Sequence, residues 1–349
     1  MENSANAFIA GLPKAELHMH LEGSIEPELM LALARRNGIA LPWQEAEALR
    51  AAYRFDNLQS FLDLYYAGCQ VLQHDQDFYD MTRAYLRRAH ADSVLRAEVF
   101  LAPQNFTLRG IAASTVMSGV LRAIDEAEQE LGISTGLMII VQRHRTEETA
   151  FAALDAVMPW ADRIAAVGLG GAEIGNPPAR FANFFRACRE RGFHVVIHAG
   201  EEGPAAYVRE AFELIGADRI DHGNACVDDP DLVRQLAVSG VPLTLCPVSN
   251  LRLKVIAALE QHPLRTLMQA GVVVTVNSDD PSYFGAYVNE NLVACRDALG
   301  LSDAELAELA RNSFRAAFVP AEDRQRYLAR VDAYVAGAVR NGADRNRPA

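Results

Sequence analysis

Two histidines separated by a single residue, His18 and His20, stand near the start of the chain in the segment AELHMHLEGS. In a β-strand, the side chains at positions i and i+2 point to the same face, so two such imidazoles can converge on one point. That arrangement suits a metal ion. The pair alone is equally compatible with two structural histidines, because short motifs also arise by chance.

Three further segments end in side chains that can bind a metal or move protons. The run HVVIHAGEEG ends with His198 and Glu201, and the run RIDHG ends with His222. The run VVVTVNSDDPSYFG contains Asp279 and Asp280. Two aspartates before a proline can also cap a helix, but the imidazoles at the other strand ends favour a chemical role.

Three neutral imidazoles and one carboxylate around a divalent ion leave a coordination position for water, which is the arrangement of a hydrolytic metal site. Zinc suits nitrogen-rich ligands without thiolates, and iron, cobalt and manganese accept similar ligands. The residue types therefore predict a metal-dependent hydrolase and leave the identity of the metal open.

The elements that must position these residues follow a repeated strand-then-helix pattern. Short runs rich in β-branched residues alternate with amphipathic stretches, several of which open at Pro or Asp and end at Gly. Eight such strands predict a (β/α)8 TIM barrel, in which active sites lie at the C-terminal strand ends. An open doubly wound sheet is the main alternative. The eight runs are AELHMHLEG, VLRAEVFLA, STGLMIIVQR, IAAVGLGG, HVVIHAGE, RIDHG, PLTLCPVSN and VVVTVNSDD.

The chain is longer than a minimal barrel, and the additional residues lie in two segments. Helical patterns in PELMLALARRNG, FLDLYYAGCQVLQ and DFYDMTRAYLRRAH predict an insertion between the first and second strands, which could cap the barrel mouth. Residues 302–340 predict additional C-terminal helices. Because no linker or low-complexity tract interrupts the pattern, we expect residues 1–349 to form a single metal-dependent hydrolase domain.

The composition limits the kinds of partner that we expect the protein to bind. The chain has 33 Lys and Arg against 45 Asp and Glu, a formal net charge of -12, and no basic stretch that would follow a nucleic acid backbone. No segment approaches the roughly 20 apolar residues of a membrane span, and the N-terminus lacks the pattern of a secretion signal. We therefore expect a cytoplasmic protein that binds a small molecule and neither nucleic acid nor membrane. Its oligomeric state stays open.

The five cysteines do not suggest a thiolate metal site or a disulfide framework, because they are widely spaced and form no CxxC pair. They are Cys69, Cys188, Cys226, Cys246 and Cys295.

Five motifs together resemble the adenosine/adenine deaminase family, a branch of the metal-dependent barrel hydrolases, and are closest to its adenine deaminase branch. They occur in the family's order and extend from residue 18 to residue 285, which is most of the chain. The motifs are HMHLEGS, HAGEEG, RIDHG, LTLCPVSN and VNSDDPSYFG.

The resemblance implies one Zn²⁺ ion per subunit, held by His18, His20, His198 and Asp279. It also implies the activity of the family, which is hydrolytic removal of the amino group of a purine, a reaction of purine salvage.

The resemblance implies roles for further residues as well. Glu201 is then the proton donor to purine N1, and His222 orients and deprotonates the attacking water. Asp280 contacts the ring at N7, and the backbone near Gly171 lies close to N3. These roles agree with the chemistry, because attack at C6 moves electrons onto N1 and a protonated carboxyl there stabilises the product of attack.

Glu22 follows the HMHL motif directly and bears on the choice of purine. Adenosine deaminases of the family commonly carry Asp at this place and hold a ribose hydroxyl with it, whereas adenine deaminases carry Glu. A longer side chain would place its carboxylate in the space of the sugar or bond N3 or N9–H of the free base. We therefore expect adenine as the substrate. Adenosine is the alternative, since GLGGAE around Gly171 is closer to the adenosine pattern, and another 6-substituted aminopurine is also open.

Two other readings remain. A barrel hydrolase of this kind can act on a cyclic amide or a phosphoester, although phosphoester chemistry usually uses two metals and basic residues, which the motifs here lack. A purine-binding protein without turnover would be expected to lack a metal ligand or the acid, and none is missing from this chain.

Overall fold

Eight parallel strands follow one another in chain order in a single sheet. The structure, a computed structural model, describes residues 2–345. Each of the eight predicted runs contains a strand, which confirms the TIM barrel and shows the open doubly wound sheet to be wrong. The strands are β1 Lys14–His20, β2 Val94–Leu101, β3 Ser134–Gln142, β4 Ile164–Gly170, β5 His194–Ala199, β6 Arg219–His222, β7 Leu243–Leu245 and β8 Val274–Val276.

The barrel closes where the segment after β8 returns to β1. Met19 and Asp279 form a parallel bridge. The N–H of His20 donates to the carbonyl of Asp279 at 2.9 Å, and the N–H of Asp279 donates to the carbonyl of His18 at 3.0 Å. Closure of the barrel therefore brings residues from the two ends of the chain together at its mouth.

β7 and β8 are shorter than their apolar runs suggest. The run PLTLCPVSN leaves the strand after Leu245 and enters the helix Pro247–Arg252. Pro247 cannot donate a ladder hydrogen bond but is well suited to the first position of a helix, so the strand ends before it. The polar ends of both runs consequently lie in the loops at the barrel mouth.

The barrel interior is packed rather than hollow. A compact apolar cluster fills it, formed by Phe100, Ala102, Met138, Ile140, Ala166 and Val196. Toward the N-terminal ends of the strands, the fully buried guanidinium of Arg219 donates to the carboxylate of Glu98 at 2.7 Å. This ion pair and the apolar cluster form a rigid floor below the mouth.

Helices surround the strands and bury one face against them. In the helix Ala113–Leu131, the buried residues Val116, Val120 and Ile124 recur every fourth position, as an amphipathic helix requires. Within residues 2–345, no helix is both long and apolar enough to cross a membrane. The helices outside the insertion and the C-terminal segment are Glu2–Gly11, Gln104–Thr107, Ala113–Leu131, Glu147–Val157, Ala182–Glu190, Ala205–Arg209, Pro230–Ser239, Pro247–Arg252, Leu264–Gln269, Pro281–Phe284 and Val288–Leu299.

The predicted insertion between β1 and β2 is present. One of its helices, Leu58–Gly68, is called the cap helix below because its side chains cover the mouth. It starts at a capping box in which Asn57 Oδ1 accepts from the N–H of Ser60 at 2.9 Å and Ser60 Oγ accepts from the N–H of Asn57 at 3.2 Å. The insertion helices are Pro27–Asn37, Ala46–Ala52, Leu58–Gly68 and Asp75–Ala91.

The predicted C-terminal helices are Asp303–Arg315 and Ala321–Arg345. The first packs over the seam between β8 and β1. Ser313 Oγ accepts from the N–H of Ala15 in β1 at 2.8 Å, and Asn312 Nδ2 donates to the carbonyl of Val274 in β8 at 3.3 Å. The segment thus supports the closure of the barrel.

Candidate active site

One pocket at the C-terminal strand ends collects most of the predicted site residues. It contains about 530 Å³ of empty space, part of which is open to solvent. His18 lies below the pocket and is fully buried. The predicted residues that line the pocket are His20, Gly171, His198, Glu201, His222, Asp279 and Asp280.

The HxH pair of β1 faces Asp279. Asp279 Oδ1 lies 3.3 Å from His18 Nε2 and 3.4 Å from His20 Nε2. The same-face geometry expected of positions i and i+2 is therefore realised, with a carboxylate oxygen next to both ring nitrogens.

The histidines of β5 and β6 complete the cluster. His198 Nε2 lies 3.2 Å from His20 Nε2. The ring centroids of His198 and His222 lie 4.5 Å and 4.6 Å, respectively, from that of His18. Four imidazoles from three strands therefore crowd around one point.

Two residues of this cluster have an uncommon backbone conformation. His222 and Asp279 have φ values of 61° and 64°, in the left-handed region that few residues other than glycine adopt. Each such conformation costs on the order of 1–3 kcal/mol and is typical of functional sites, where the surrounding structure holds it.

Behind the cluster lie two residues that sequence reasoning missed, Asp221 and Thr244. Asp221 Oδ2 stands 3.1 Å from His198 Nδ1, and its Oδ1 accepts from Thr244 Oγ1 at 2.8 Å. Thr244 Oγ1 in turn lies 3.0 Å from His18 Nδ1. These contacts fix the outer nitrogens of His18 and His198, so that their Nε2 atoms face the cluster. The signal in the sequence that could have identified Asp221 was its carboxylate in the strand segment RIDH, next to His222.

The protonation of the cluster favours binding of a cation. Burial lowers the pKa of His20 to about 3 and lowers that of His198, which keeps their lone pairs free. Burial opposes ionisation of Asp279, but the nearby His18 ring holds the pKa of this carboxyl well below its usual range. The pKa of His18 is raised, because Asp221 and Asp279 outweigh the effect of burial. The carboxylates therefore attract positive charge to this point.

The donor set fits a divalent metal. His18 Nε2 is buried and has no hydrogen-bond partner among the described residues. The nitrogens of His18 and His20 and an oxygen of Asp279 all lie within 4.8 Å of one another, and so do those of His18, His198 and His222. Neutral imidazoles with one carboxylate are the ligands that zinc and similar ions bind.

Cys246 also reaches this region, close to His222 and Asp279. Burial raises the pKa of its thiol well above the usual range, and Asp279 raises it further. The pKa shift therefore favours the protonated form of this buried thiol.

Glu201, in the loop after β5, reaches into the pocket beside His222. Its Oε2 lies 3.6 Å from His222 Nε2, and its Oε1 is buried without a hydrogen-bond partner in the part of the chain that the structure describes. Burial raises the pKa of Glu201 well above the ordinary value, and the charge of Asp279 adds to the effect. Such a group holds a proton near neutral pH.

Asp280 follows Asp279 and faces the same pocket. Its Oδ1 is buried and finds no hydrogen-bond partner within residues 2–345. Burial raises its pKa well above the usual value, and the neighbouring Asp279 charge raises it further. Adjacent residues thus supply an ionised and a protonated carboxyl, a division of roles typical of enzyme sites.

Glu22 lies behind the pocket wall and does not line the pocket itself. Its Oε1 accepts from the N–H of Ala102 at 2.9 Å and from Asn105 Nδ2 at 3.3 Å, and both of these residues line the pocket. Its Oε2 is buried with no partner among the residues that the structure covers. Burial raises the pKa of Glu22 to about 7.

The remaining walls are backbone and apolar side chains. Gly171 has a φ of +92°, which a side chain would strain, and its backbone lines the pocket next to Gly170. Opposite the metal cluster, the cap helix contributes apolar and aromatic side chains, as expected for a cap over the mouth. They are Leu58, Phe61, Leu62, Tyr65 and Tyr66.

Comparison with known proteins identifies the family of this fold and site. The family model described as adenosine deaminase matches residues 13–334. The chain belongs to the adenosine deaminase family. This adenosine deaminase family member is accordingly an enzyme, a hydrolase of carbon–nitrogen bonds, and its fold is that of the metal-dependent amidohydrolases.

Relatives within the family are close. An adenine deaminase from Rhodopseudomonas palustris is 63% identical over 330 residues, which cover 95% of this chain and 96% of the relative. The crystal structure of an adenine deaminase from Arthrobacter aurescens has a TM-score of 0.91 and 46% identity, covering 93% of this chain and 99% of that one. An amidohydrolase from Burkholderia ambifaria with bound zinc has a TM-score of 0.88 and 27% identity, covering 96% and 95% of the two chains.

Proposed function

We propose that the protein catalyses the zinc-dependent hydrolytic deamination of adenine to hypoxanthine and ammonia, a reaction of purine salvage and nitrogen catabolism. One observation carries the proposal: two buried carboxyls, Glu201 and Asp280, line the pocket that the histidine cluster borders, and each has one oxygen without a hydrogen-bond partner among residues 2–345. The relatives from Rhodopseudomonas palustris and Arthrobacter aurescens, both named adenine deaminase, support this choice of substrate.

His18, His20, His198 and Asp279 would hold one zinc ion per subunit. The Burkholderia ambifaria amidohydrolase, which binds zinc, supports this metal over iron, cobalt or manganese. The chemistry that such a cation supplies when bound is Lewis acidity, which makes water a nucleophile near neutral pH.

His222 is positioned to take the proton of the attacking water. Burial lowers its pKa well below the usual value, so its ring is neutral and can accept a proton. Its Nε2 lies 3.6 Å from Glu201 Oε2, so the two groups proposed to transfer protons are neighbours.

Glu201 holds the proton that the purine needs. Attack at C6 moves an electron pair onto N1, and the Glu201 carboxyl donates its proton there. The proton that His222 took from the water then passes to the amino nitrogen, the C6–N bond breaks to release ammonia, and the Glu201 carboxylate takes up the proton of the C6 hydroxyl as the carbonyl of hypoxanthine forms. Burial, the first cause of the raised pKa of Glu201, supports this role, since the carboxyl must be protonated at the start.

Asp280 and Gly171 hold the ring. The protonated carboxyl of Asp280 donates to N7, and the backbone of Gly171 lies against the ring near N3. Both residues line the pocket, and the apolar cap helix covers the flat face of a purine between them.

Glu22 favours the free base over the nucleoside. A small movement of Asn105, to which its other oxygen is bonded, would open its unpartnered Oε2 to the N9–H of adenine. Adenosine has no hydrogen at N9 and would leave the buried carboxyl unsatisfied, which costs about 1–3 kcal/mol.

The test is turnover by the purified, zinc-loaded protein of adenine, adenosine, 2'-deoxyadenosine and a panel of 6-substituted aminopurines, with hypoxanthine and ammonia measured as products. We expect adenine to have the highest kcat/KM and to give the two products in equal amounts. A higher kcat/KM for adenosine or for another aminopurine would contradict the proposed substrate. Absence of turnover on every purine would contradict the proposed reaction.

A further inference from the structure

Glu173, in the loop after β4, is a buried carboxylate that the proposed chemistry does not use. It follows Gly171 and Ala172 and is only 2% exposed. Its side chain points toward the loop that follows β5, which contains Glu201. The hydrogen-bond donors to this carboxylate therefore lie in that loop.

Three backbone N–H groups around Glu201 donate to Glu173. The N–H of Gly200 donates to Oε1 at 2.7 Å, and the N–H groups of Glu202 and Gly203 donate to Oε2 at 2.8 Å and 2.7 Å. The three donors stand on both sides of Glu201 in the chain. Hydrogen bonds to a carboxylate are short and strong, so they fix the peptide planes from which the Glu201 side chain projects.

The loop approaches Glu173 as closely as the chain permits. A Cβ atom at Gly203 would lie 2.6 Å from Tyr207 Cδ2, 2.7 Å from Glu173 Cδ and 2.8 Å from Glu173 Oε1, closer than real Cβ atoms come. The contact therefore requires glycine at this position.

Arg143, a fully buried residue after β3, balances the charge of Glu173 and holds the start of the loop. Its Nη1 lies 3.8 Å from Glu173 Oε1 and donates to the carbonyl of His198 at 2.6 Å. The segment from His198 to Gly203 is thus held at its first carbonyl by Arg143 and along its N–H groups by Glu173.

We propose that Glu173 is a positioning residue, which sets the direction of Glu201 in the pocket by binding the backbone on both sides of it. The inference rests on the proposed role of Glu201 as proton donor. Glu173 touches neither the purine nor the reacting atoms, so its effect passes through the loop.

The first experiment is Glu173→Gln. Glutamine has the same shape but has an NH2 group in place of one acceptor oxygen. This NH2 group cannot accept a hydrogen bond from the backbone N–H that it faces, so that part of the loop is no longer held. We expect kcat to fall by about 10²-fold, as for a misplaced catalytic group, with KM, zinc content and melting temperature close to wild type. Gly203→Ala, which pushes the loop away from Glu173, should have the same pattern.

The matched control is Glu147→Gln. Glu147 Oε1 also accepts a backbone N–H, that of Phe184 at 2.7 Å, but on the outer helix Ala182–Glu190. Its kcat should stay at the wild-type value. A fall of kcat in this control equal to that in Glu173→Gln would overturn the assignment, because loss of any such hydrogen bond would then have the same effect.

A double-mutant cycle with Glu201→Gln separates positioning from general structural damage. If Glu173 acts through Glu201, adding Glu173→Gln to Glu201→Gln lowers the residual kcat by less than about threefold. Equal effects in both backgrounds, a wild-type kcat in Glu173→Gln, or loss of zinc from that variant would overturn the inference. Wild-type turnover in Glu201→Gln alone would instead contradict the proposed function itself.

Discussion

His222 Nε2 lies 3.6 Å from Glu201 Oε2, and the ring of the first is neutral while the carboxyl of the second holds a proton. The pocket therefore contains an acceptor and a donor of protons side by side, and the carboxyl is in the form that is rare in water at neutral pH. Burial is the first cause of both pKa shifts, because a dry site disfavours the charged form of either group.

Glu201→Gln should remove the proton donor and keep the shape of the pocket. We expect kcat for adenine to fall by about 10²–10⁴-fold, with zinc content and hypoxanthine binding unchanged. Steady-state kinetics with metal analysis of the same preparation is the measurement. Turnover equal to that of the wild type would show that another group supplies the proton.

His198→Ala should empty the metal site, since it removes an imidazole from the centre of the cluster. His194→Ala is the matched control on the same strand, because His194 is exposed, stacks on Phe318 with ring centroids 4.2 Å apart and lies at the opposite end of β5. Elemental analysis should find zinc in the control and little in His198→Ala. Equal occupancy in both variants would remove His198 from the ligand set.

Asp221→Asn should weaken the metal site without removing a ligand, because Asp221 holds the outer nitrogen of His198. Loss of such a partner typically lowers metal affinity by about 10–100-fold, which competition with a chelator measures. Asp218→Asn, at a carboxylate that accepts the N–H of Val195 at 2.7 Å near the start of β5, serves as control. Unchanged affinity in Asp221→Asn would limit this residue to a structural role.

Glu22→Asp should shift the substrate preference toward the nucleoside, since the shorter carboxylate withdraws from N9. We expect the ratio of kcat/KM for adenosine to that for adenine to rise by about tenfold or more. Glu22→Gln keeps the length of the side chain and should not admit adenosine. A ratio unchanged in Glu22→Asp would mean that the cap helix alone excludes the sugar.

Lys14, at the start of β1, predicts a dependence of stability on pH. Burial lowers the pKa of its ammonium from 10.5 to about 7, against the opposing charge of Asp92. The unfolded chain therefore binds more protons than the folded chain between these two values, and the Lys14 contribution to the free energy of unfolding rises with pH across this window. It is lost as the pH falls toward the folded pKa.

Lys14→Met should flatten this rise, although it also removes the hydrogen bonds of Lys14 Nζ to the carbonyls of Ile9 and Asp92. Urea unfolding of both proteins across the window gives the two slopes. Parallel slopes would mean that Lys14 keeps its ordinary pKa in the folded protein.

The fold was predictable because each strand carries its own signal. Runs such as STGLMIIVQR are apolar and rich in β-branched residues, and several of the helices between them open at Pro or Asp and end at Gly. The end of β7 was less predictable, since the apolar run continues through Cys246 and Val248 after the strand has stopped. There the conformational preference of Pro247 outweighs hydrophobicity.

The side chains of the pocket were predictable from residue type and strand position, whereas their supports were not. Asp221 and Glu173 look in sequence like ordinary acidic residues. Their importance comes from partners distant in the chain, His198 for the first and the backbone of Gly200 to Gly203 for the second. No local pattern encodes such a contact, because it exists only after the strands are side by side.

Because β1 pairs with the segment after β8, the site is complete only after the chain has been synthesised through Asp279. Backbone hydrogen bonds between the first strand and the segment after the last strand hold Asp279 next to His18 and His20. A nascent chain whose final strand is still inside the ribosome carries His18, His20 and His198 but lacks Asp279 beside them. The four proposed metal ligands therefore come together only after the last strand has paired with the first, so a chain truncated before Asp279 lacks one of them.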